Sequence, residues 1–189
     1  LEIMLLSTDP ERTILTTDHP NGGPFTQYPR IIHLLMDKSE RDREIATLPK
    51  IVGERSGLPG LEREYTLSEI AQLTRSGPAK LLGLDDRGHL RAGARADVAV
   101  YRDDTDRTAM FTAAKLVLKD GVPIVEDGEV VEWRAGRTLS LTVESDKAMA
   151  KRADTYLTER FGEGLDSFAV PDAAFGDGPD NFEAVPCRV

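Results

Sequence analysis

The spacing of apolar residues changes along the chain, and each change marks a predicted element. Ile3-Met4-Leu5-Leu6 is a short apolar run and Thr13-Ile14-Leu15-Thr16-Thr17 a β-branched one, so with Asp9-Pro10 as a turn they predict two short strands. The second is continuous rather than alternating, the pattern of a strand covered on both faces. A segment dense in turn formers follows, Asp18-His19-Pro20-Asn21-Gly22-Gly23-Pro24. From residue 26 to 83 the pattern turns helical. Ile31, Ile32, Leu34, Leu35 and Met36 form an apolar face behind Tyr28-Pro29, a helix start that tolerates proline. The charged stretch from Asp37 to Glu44 reads as a solvated connection, and Ser56 to Gly60 breaks the pattern. Thr66-Leu67-Ser68-Glu69 has the form of a capping box, with Ile70, Leu73 and Thr74 on the inner face of the helix it opens. Gly77-Pro78 ends or kinks that helix. Ala79 to Leu82 predicts another, closed by Gly83.

Beyond residue 84 the period shortens. Leu90, Ala96 to Tyr101, Lys115 to Leu118, Val122 to Val125, Glu129 to Trp133 and Thr138 to Val143 predict short strands. Asp120-Gly121 and Asp127-Gly128 between them are hairpin signals. Asp146 to Phe161 predicts a last helix. The tail after Gly162, with Phe168, Phe175 and Phe182 spaced among Gly, Pro and Asp, reads as an extended arm. The pattern divides the chain into 1–83, 84–145 and 146–189.

Composition narrows the classes. The 189 residues carry 24 Lys and Arg against 33 Asp and Glu, a net charge of −9. That balance opposes a nucleic-acid surface, which needs a positive field. No apolar run approaches the ~18–20 residues of a membrane span, so no membrane partner is expected. The single Cys187 allows neither an internal disulfide nor a cysteine zinc cluster, which fits a cytoplasmic location. The chain opens at Leu1 inside an apolar run that needs neighbours to cover it, which leaves two readings open, an ordinary first strand or a piece of a longer fold.

Candidate chemistry concentrates after the second predicted strand. A carboxylate at the carboxyl end of a buried strand stands at the mouth of a sheet or barrel, where it binds a metal or takes a proton. Asp18 has that position, His19 adds a second ligand or a donor, and the glycines admit close backbone approach. The alternative is a plain loop with Asp18 capping it. His33 reads as a packed histidine on a helix face, and His89 as a turn residue. The three histidines share no metal-binding spacing. Ser68 and Ser76 lie near no histidine in the sequence, Gly-x-Ser-x-Gly and phosphate-binding glycine motifs are absent, and Cys187 reads as structural.

One long segment carries a resemblance. Pro78-Ala79-Lys80-Leu81-Leu82-Gly83-Leu84, followed by Gly88-His89-Leu90-Arg91-Ala92-Gly93-Ala94-Arg95-Ala96-Asp97, resembles the carboxyl-terminal signature of the amidohydrolase superfamily. Thr17-Asp18-His19-Pro20-Asn21-Gly22-Gly23-Pro24-Phe25, with Tyr28-Pro29 and the closing Val185-Pro186-Cys187-Arg188-Val189, resembles the A subunits of formylmethanofuran dehydrogenases and of formyltransferase/hydrolase complexes. The resemblance implies an α/β fold: the carboxyl-terminal part of a TIM-like (β/α)8 metal-dependent hydrolase barrel in 1–83, a small β-sandwich subdomain in 84–145, and a helix and tail in 146–189.

It also implies amide chemistry on a one-carbon unit, with methanofuran as the substrate carrier and two divalent metal ions, zinc, activating water. Asp18 is then both metal ligand and proton acceptor, and His19 and Asn21 are substrate contacts. The family's other ligands, a His-x-His pair, a carboxylated lysine and further histidines, do not occur here. The chain alone is therefore expected to be inactive, with the amino-terminal barrel portion and the other subunits of such a complex as its partners. Two alternatives stand beside this reading: a cyclic amidase of the hydantoinase or dihydroorotase kind, and a non-catalytic assembly subunit.

Overall fold

A computed structural model describes residues 1–142, 145–171 and 182–186. The sequence expectations at Val143, Phe175 and Cys187 lie outside those residues. The chain is mixed α/β and divides into two compact units, Leu1–Arg134 and Ala135–Val189.

The first unit is built on one apolar cluster. Leu5, Leu15, Ile32, Leu35, Tyr65, Ile70 and Leu73 form it, with Leu35 and Leu73 at 0% exposure. Ile3–Leu6 does not form a strand: Glu2–Leu6 is a helical turn, α1. A continuous apolar run of that length fits either element, and Met, Leu and Glu are strong helix formers. Tertiary contacts then select the helix. The Glu2 carboxylate accepts from Gly57 N at 3.0 Å, and the Tyr65 hydroxyl donates to Met4 O. Thr13 to Thr17 is extended but pairs with no strand among the described residues. Its burial alternates, with Leu15 and Thr17 inward and Ile14 and Thr16 outward, so it is not covered on both faces.

The predicted helix over the Ile31–Met36 face is α2, Tyr28–Met36, with Ile32, His33, Leu34 and Leu35 buried. The charged stretch after it is not a solvated connection. Asp37 accepts from Glu40 N and caps a ten-residue helix, α3, Lys38–Thr47. Within it Arg41 is 1% exposed. Its guanidinium donates to Leu34 O at 2.8 Å, Leu61 O at 2.8 Å and Arg63 O at 3.1 Å, while Nε has no partner among the described residues. One acceptor is a carbonyl of the last turn of α2, where the helix dipole presents partial negative charge to a cation. The short α4, Lys50–Arg55, follows.

The Thr66–Glu69 capping box is present in full and opens α5, Leu67–Ala71. The helical path does not stop at Gly77-Pro78. It widens through a π-helical stretch, Gln72–Ser76, and continues as α6, Gly77–Leu81, with Pro78 in the first turn, where the missing N–H costs nothing. Residues 98–130 then supply an antiparallel meander: β1 (Val98–Val100), β2 (Leu116–Lys119), β3 (Val122–Glu126) and β4 (Glu129–Val130), in that spatial order. Both Asp-Gly hairpins form, and the β2–β3 register shifts between Val117 and Leu118. Between β1 and β2 lies a helix the pattern did not reveal, α7, Arg107–Thr112, capped by Asp106.

The second unit holds β5 (Thr138–Thr142), α8 (Lys147–Phe161) and β6 (Phe182–Pro186). α8 lies within the Asp146–Phe161 span that the sequence indicated; Asp146 caps it and Gly162 closes it. The tail is not only an arm: β6 pairs in parallel with β5, Thr138 opposite Phe182. A parallel pair needs a long crossover, and the segment containing α8 provides it.

The buried Arg41 gives this packing a direct test. Arg41→Ala is expected to destabilise the first unit by about 3 kcal/mol, because three carbonyls lose a charged donor in a buried site. Arg41→Lys should recover less than half, since an ammonium cannot span the same carbonyls with a planar fork. Urea unfolding of the variants reads both effects.

Candidate functional site

The loop from Asp18 to Phe25 leaves the core at one point and returns to it at another. Leu15 and Thr17 point inward on the segment before it, and α2 begins at Tyr28 after it. Asp18 is exposed and has a left-handed backbone, φ 50°. Aspartate tolerates that region better than most residues. The conformation is held on both sides of the residue: Asp18 N donates to Thr16 Oγ1 at 3.0 Å, and Asp18 O accepts from Gly22 N at 2.7 Å. Gly22 has to be glycine for this turn to close. A Cβ there would stand 2.6 Å from Thr17 O and 2.9 Å from Asp18 Cβ.

The Asp18 carboxylate has no hydrogen bond or ion pair among the described residues, so it is free to meet a ligand. His19 stacks on Phe25, ring centroids 4.0 Å apart and planes at 25°. Asn21 is exposed on the same loop. The three residues singled out from the sequence therefore share one short surface loop. Thr16, Gly22 and Phe25, which shape it, lay in the same motif, but their roles depend on contacts that spacing does not reveal.

The other candidates lie elsewhere. His33 is buried, with Nδ1 2.9 Å from Thr108 Oγ1 and 3.4 Å from Asp106 Oδ1. It joins α2 to the capped start of α7, a packing role. His89 Nε2 lies 2.9 Å from Asp85 O in a turn. Among the described residues no three His, Cys, Asp or Glu side chains gather into a metal-binding group. Asp18 offers one carboxylate where a zinc site needs three or four ligands. The described residues therefore do not by themselves make a metal centre.

The long signature segment turns out to be structural. Gly88, at φ 77°, lies flat on the helical layer: a Cβ there would stand 2.6 Å from Ala79 Cβ and 2.9 Å from Arg75 O. Asp97 accepts from Asp120 N at 2.9 Å and from the Lys119 ammonium at 3.1 Å, and Gly121 N donates to Ala96 O at 2.9 Å. Those bonds tie the β2–β3 turn to the entry of β1. Burial pushes the Asp97 carboxyl pKa up, but the Asp120 N–H and Lys119 outweigh it and leave it below the ordinary value. Arg87 and Arg95 hold Asp86 well below the usual carboxylate range.

A sequence model of the amidohydrolase family matches residues 2–125. The chain belongs to the amidohydrolase family. It is 76% identical over 188 residues to the A subunit of the formyltransferase/hydrolase complex Fhc of Methylorubrum extorquens, covering 100% of this chain and 34% of that one. It is 38% identical over 181 residues to protein FwdA of Methanocaldococcus jannaschii, covering 89% of this chain and 32% of that one. A crystal structure of the M. extorquens complex FhcABCD, determined with methylofuran, contains a chain that superposes with a TM-score of 0.84 at 76% identity, over 100% of this chain and 34% of that one. The chain thus spans about a third of the length of these relatives. No described helix is long and apolar enough to cross a membrane.

The depressed carboxyl pKa values have a consequence for stability. A group whose folded pKa lies below its unfolded value of ~3.9 stabilises the fold fully above that value, and the contribution drains as pH falls through the folded one. Stability measured by urea unfolding is expected to decline below about pH 4. Asp97→Asn should lower stability at neutral pH and flatten that decline.

Proposed function

We propose that this chain is the carboxyl-terminal part of a subunit that hydrolyses, or in reverse forms, the N-formyl amide of a formylmethanofuran-type amine. The free Asp18 carboxylate, held at the exit of a core-anchored segment, carries the reading. The 76% identity to the Fhc relative favours it over a cyclic-amide hydrolase or a purely structural role. In this reading Thr13 to Thr17 is the last strand of a (β/α)8 barrel whose other strands come from the remainder of the subunit. The division into 1–83, 84–145 and 146–189 belongs to the same proposal, with the second part contributing to a β-sandwich. So do a cytoplasmic location and assembly with further subunits.

Asp18 acts as general base and then as general acid. Its carboxylate takes a proton from water as the water oxygen bonds to the formyl carbon. It then delivers that proton to the nitrogen as the C–N bond breaks, which yields formate and the free amine. His19 and Asn21, exposed beside it, contact the carrier. A pair of divalent ions, such as zinc, would need its remaining ligands from the rest of the subunit and would supply activation of the water.

Reconstitution tests the proposal. The chain expressed together with the upstream part of the subunit is expected to release formate from formylmethanofuran, and the chain alone is not. Asp18→Asn should lower the rate by at least about a hundredfold, the usual effect of losing a positioned base. An unchanged rate removes Asp18 from the chemistry.

A further inference from the structure

Phe25 is an exposed aromatic that the packing of the chain does not require. It is 64% exposed, and the single 3-10 turn it opens, Phe25–Gln27, buries no residue. Its ring contact is with His19. The two rings lie 4.0 Å apart at 25°, close to parallel, in the stacked arrangement that aromatic pairs use. The loop that presents them is closed at its base by the Gly22 N to Asp18 O bond, 2.7 Å long. His19 therefore has one face covered while the residue stays exposed, and it stands directly beside the carboxylate in sequence.

An exposed imidazole with no such partner samples several rotamers, and a ligand then has to order it at a cost in affinity. The stack removes that cost before the ligand arrives. We infer that Phe25 is a positioning residue: it holds the His19 ring in the orientation that meets the amine carrier, and so sets the affinity for the carrier rather than the rate of amide cleavage. The inference rests on the reading of Asp18 and His19 given above. It adds a residue that acts through another and separates the labour of the loop. Gly22 and Thr16 fix the carboxylate through the backbone, whereas Phe25 fixes the imidazole through its ring.

Two measurements test it. In the assembled enzyme, Phe25→Leu is expected to raise KM for formylmethanofuran roughly three- to tenfold, the range that an aromatic pair's coupling supports, with kcat nearly unchanged. Phe25→Tyr keeps the ring face and should restore the wild-type KM. In proton NMR of the chain, the His19 ring signals should lie upfield in wild type and Phe25→Tyr, shielded by the neighbouring ring, and shift downfield in Phe25→Leu. The exposure of Phe25 keeps these variants folded. A KM unmoved by Phe25→Leu overturns the inference, as does a fall in kcat alone, a Phe25→Tyr no better than Phe25→Leu, or His19 signals indifferent to the substitution. Asp18→Asn, assayed in parallel, reports separately on the hydrolase reading. If that variant retains full activity, the reading itself fails; if it is inactive while Phe25→Leu binds normally, only the role of Phe25 is lost.

Discussion

Leu15 connects the packing of the first unit to the loop of the proposed chemistry. Its side chain enters the same cluster as Leu35 and Leu73, and through the alternation of an extended backbone it places Thr17 inside and Thr16 outside. Asp18 comes next, at the point where the chain leaves the core. The return is fixed by the same cluster, because Ile32 and Leu35 of α2 belong to it. One apolar contact set therefore clamps both ends of the loop that carries Asp18, His19 and Asn21. Within the loop, a hydroxyl, a backbone amide and an aromatic ring settle the details.

The residues that identify the family and those that carry the proposed chemistry are different, and the structure explains why. Gly88 and Asp97 stand out in the sequence because few residues fit their positions. One must lie against Ala79 without a side chain, and the other must bind the Asp120 amide and Lys119 together. Neither needs a substrate to account for it. Asp18, in contrast, has a carboxylate that no packing contact uses among the described residues. An exposed carboxylate on a turn held by Thr16 and Gly22 remains available to a ligand in a way that one bound within the fold does not.

What could be read from the sequence was what local physics decides. The α2 face, the Thr66–Glu69 box, the start and stop of α8 and the Asp-Gly hairpins each depend on a few adjacent residues, and all formed. The failures came where distant contacts chose between local options. Ile3 to Leu6 suits a strand or a helix until Gly57 and Tyr65 engage it. Arg41 looks solvent-facing among its charged neighbours, and only the carbonyls of Leu34, Leu61 and Arg63 bring it inside. The partner of β6 is β5, from Phe182 back to Thr138, a pairing no local pattern announces. For the site, residue types revealed the loop, while the stack on Phe25 and the closure at Gly22 came from its folded shape.

The wide turn at Gln72–Ser76 has a meaning for how this chain tolerates insertion and deletion. A π-helical stretch accommodates an extra residue within an otherwise regular helix. Taking that residue out would tighten the spiral and rotate everything after it by about 100° about the axis. Ala79 would swing away from the seat where Gly88 rests, and the turn at Gly88 would lose its footing on the helical layer. The bulge thus works as a phase adjuster: it lets one helix present Leu73 to the apolar cluster and, a turn later, a flat bed to the glycine turn.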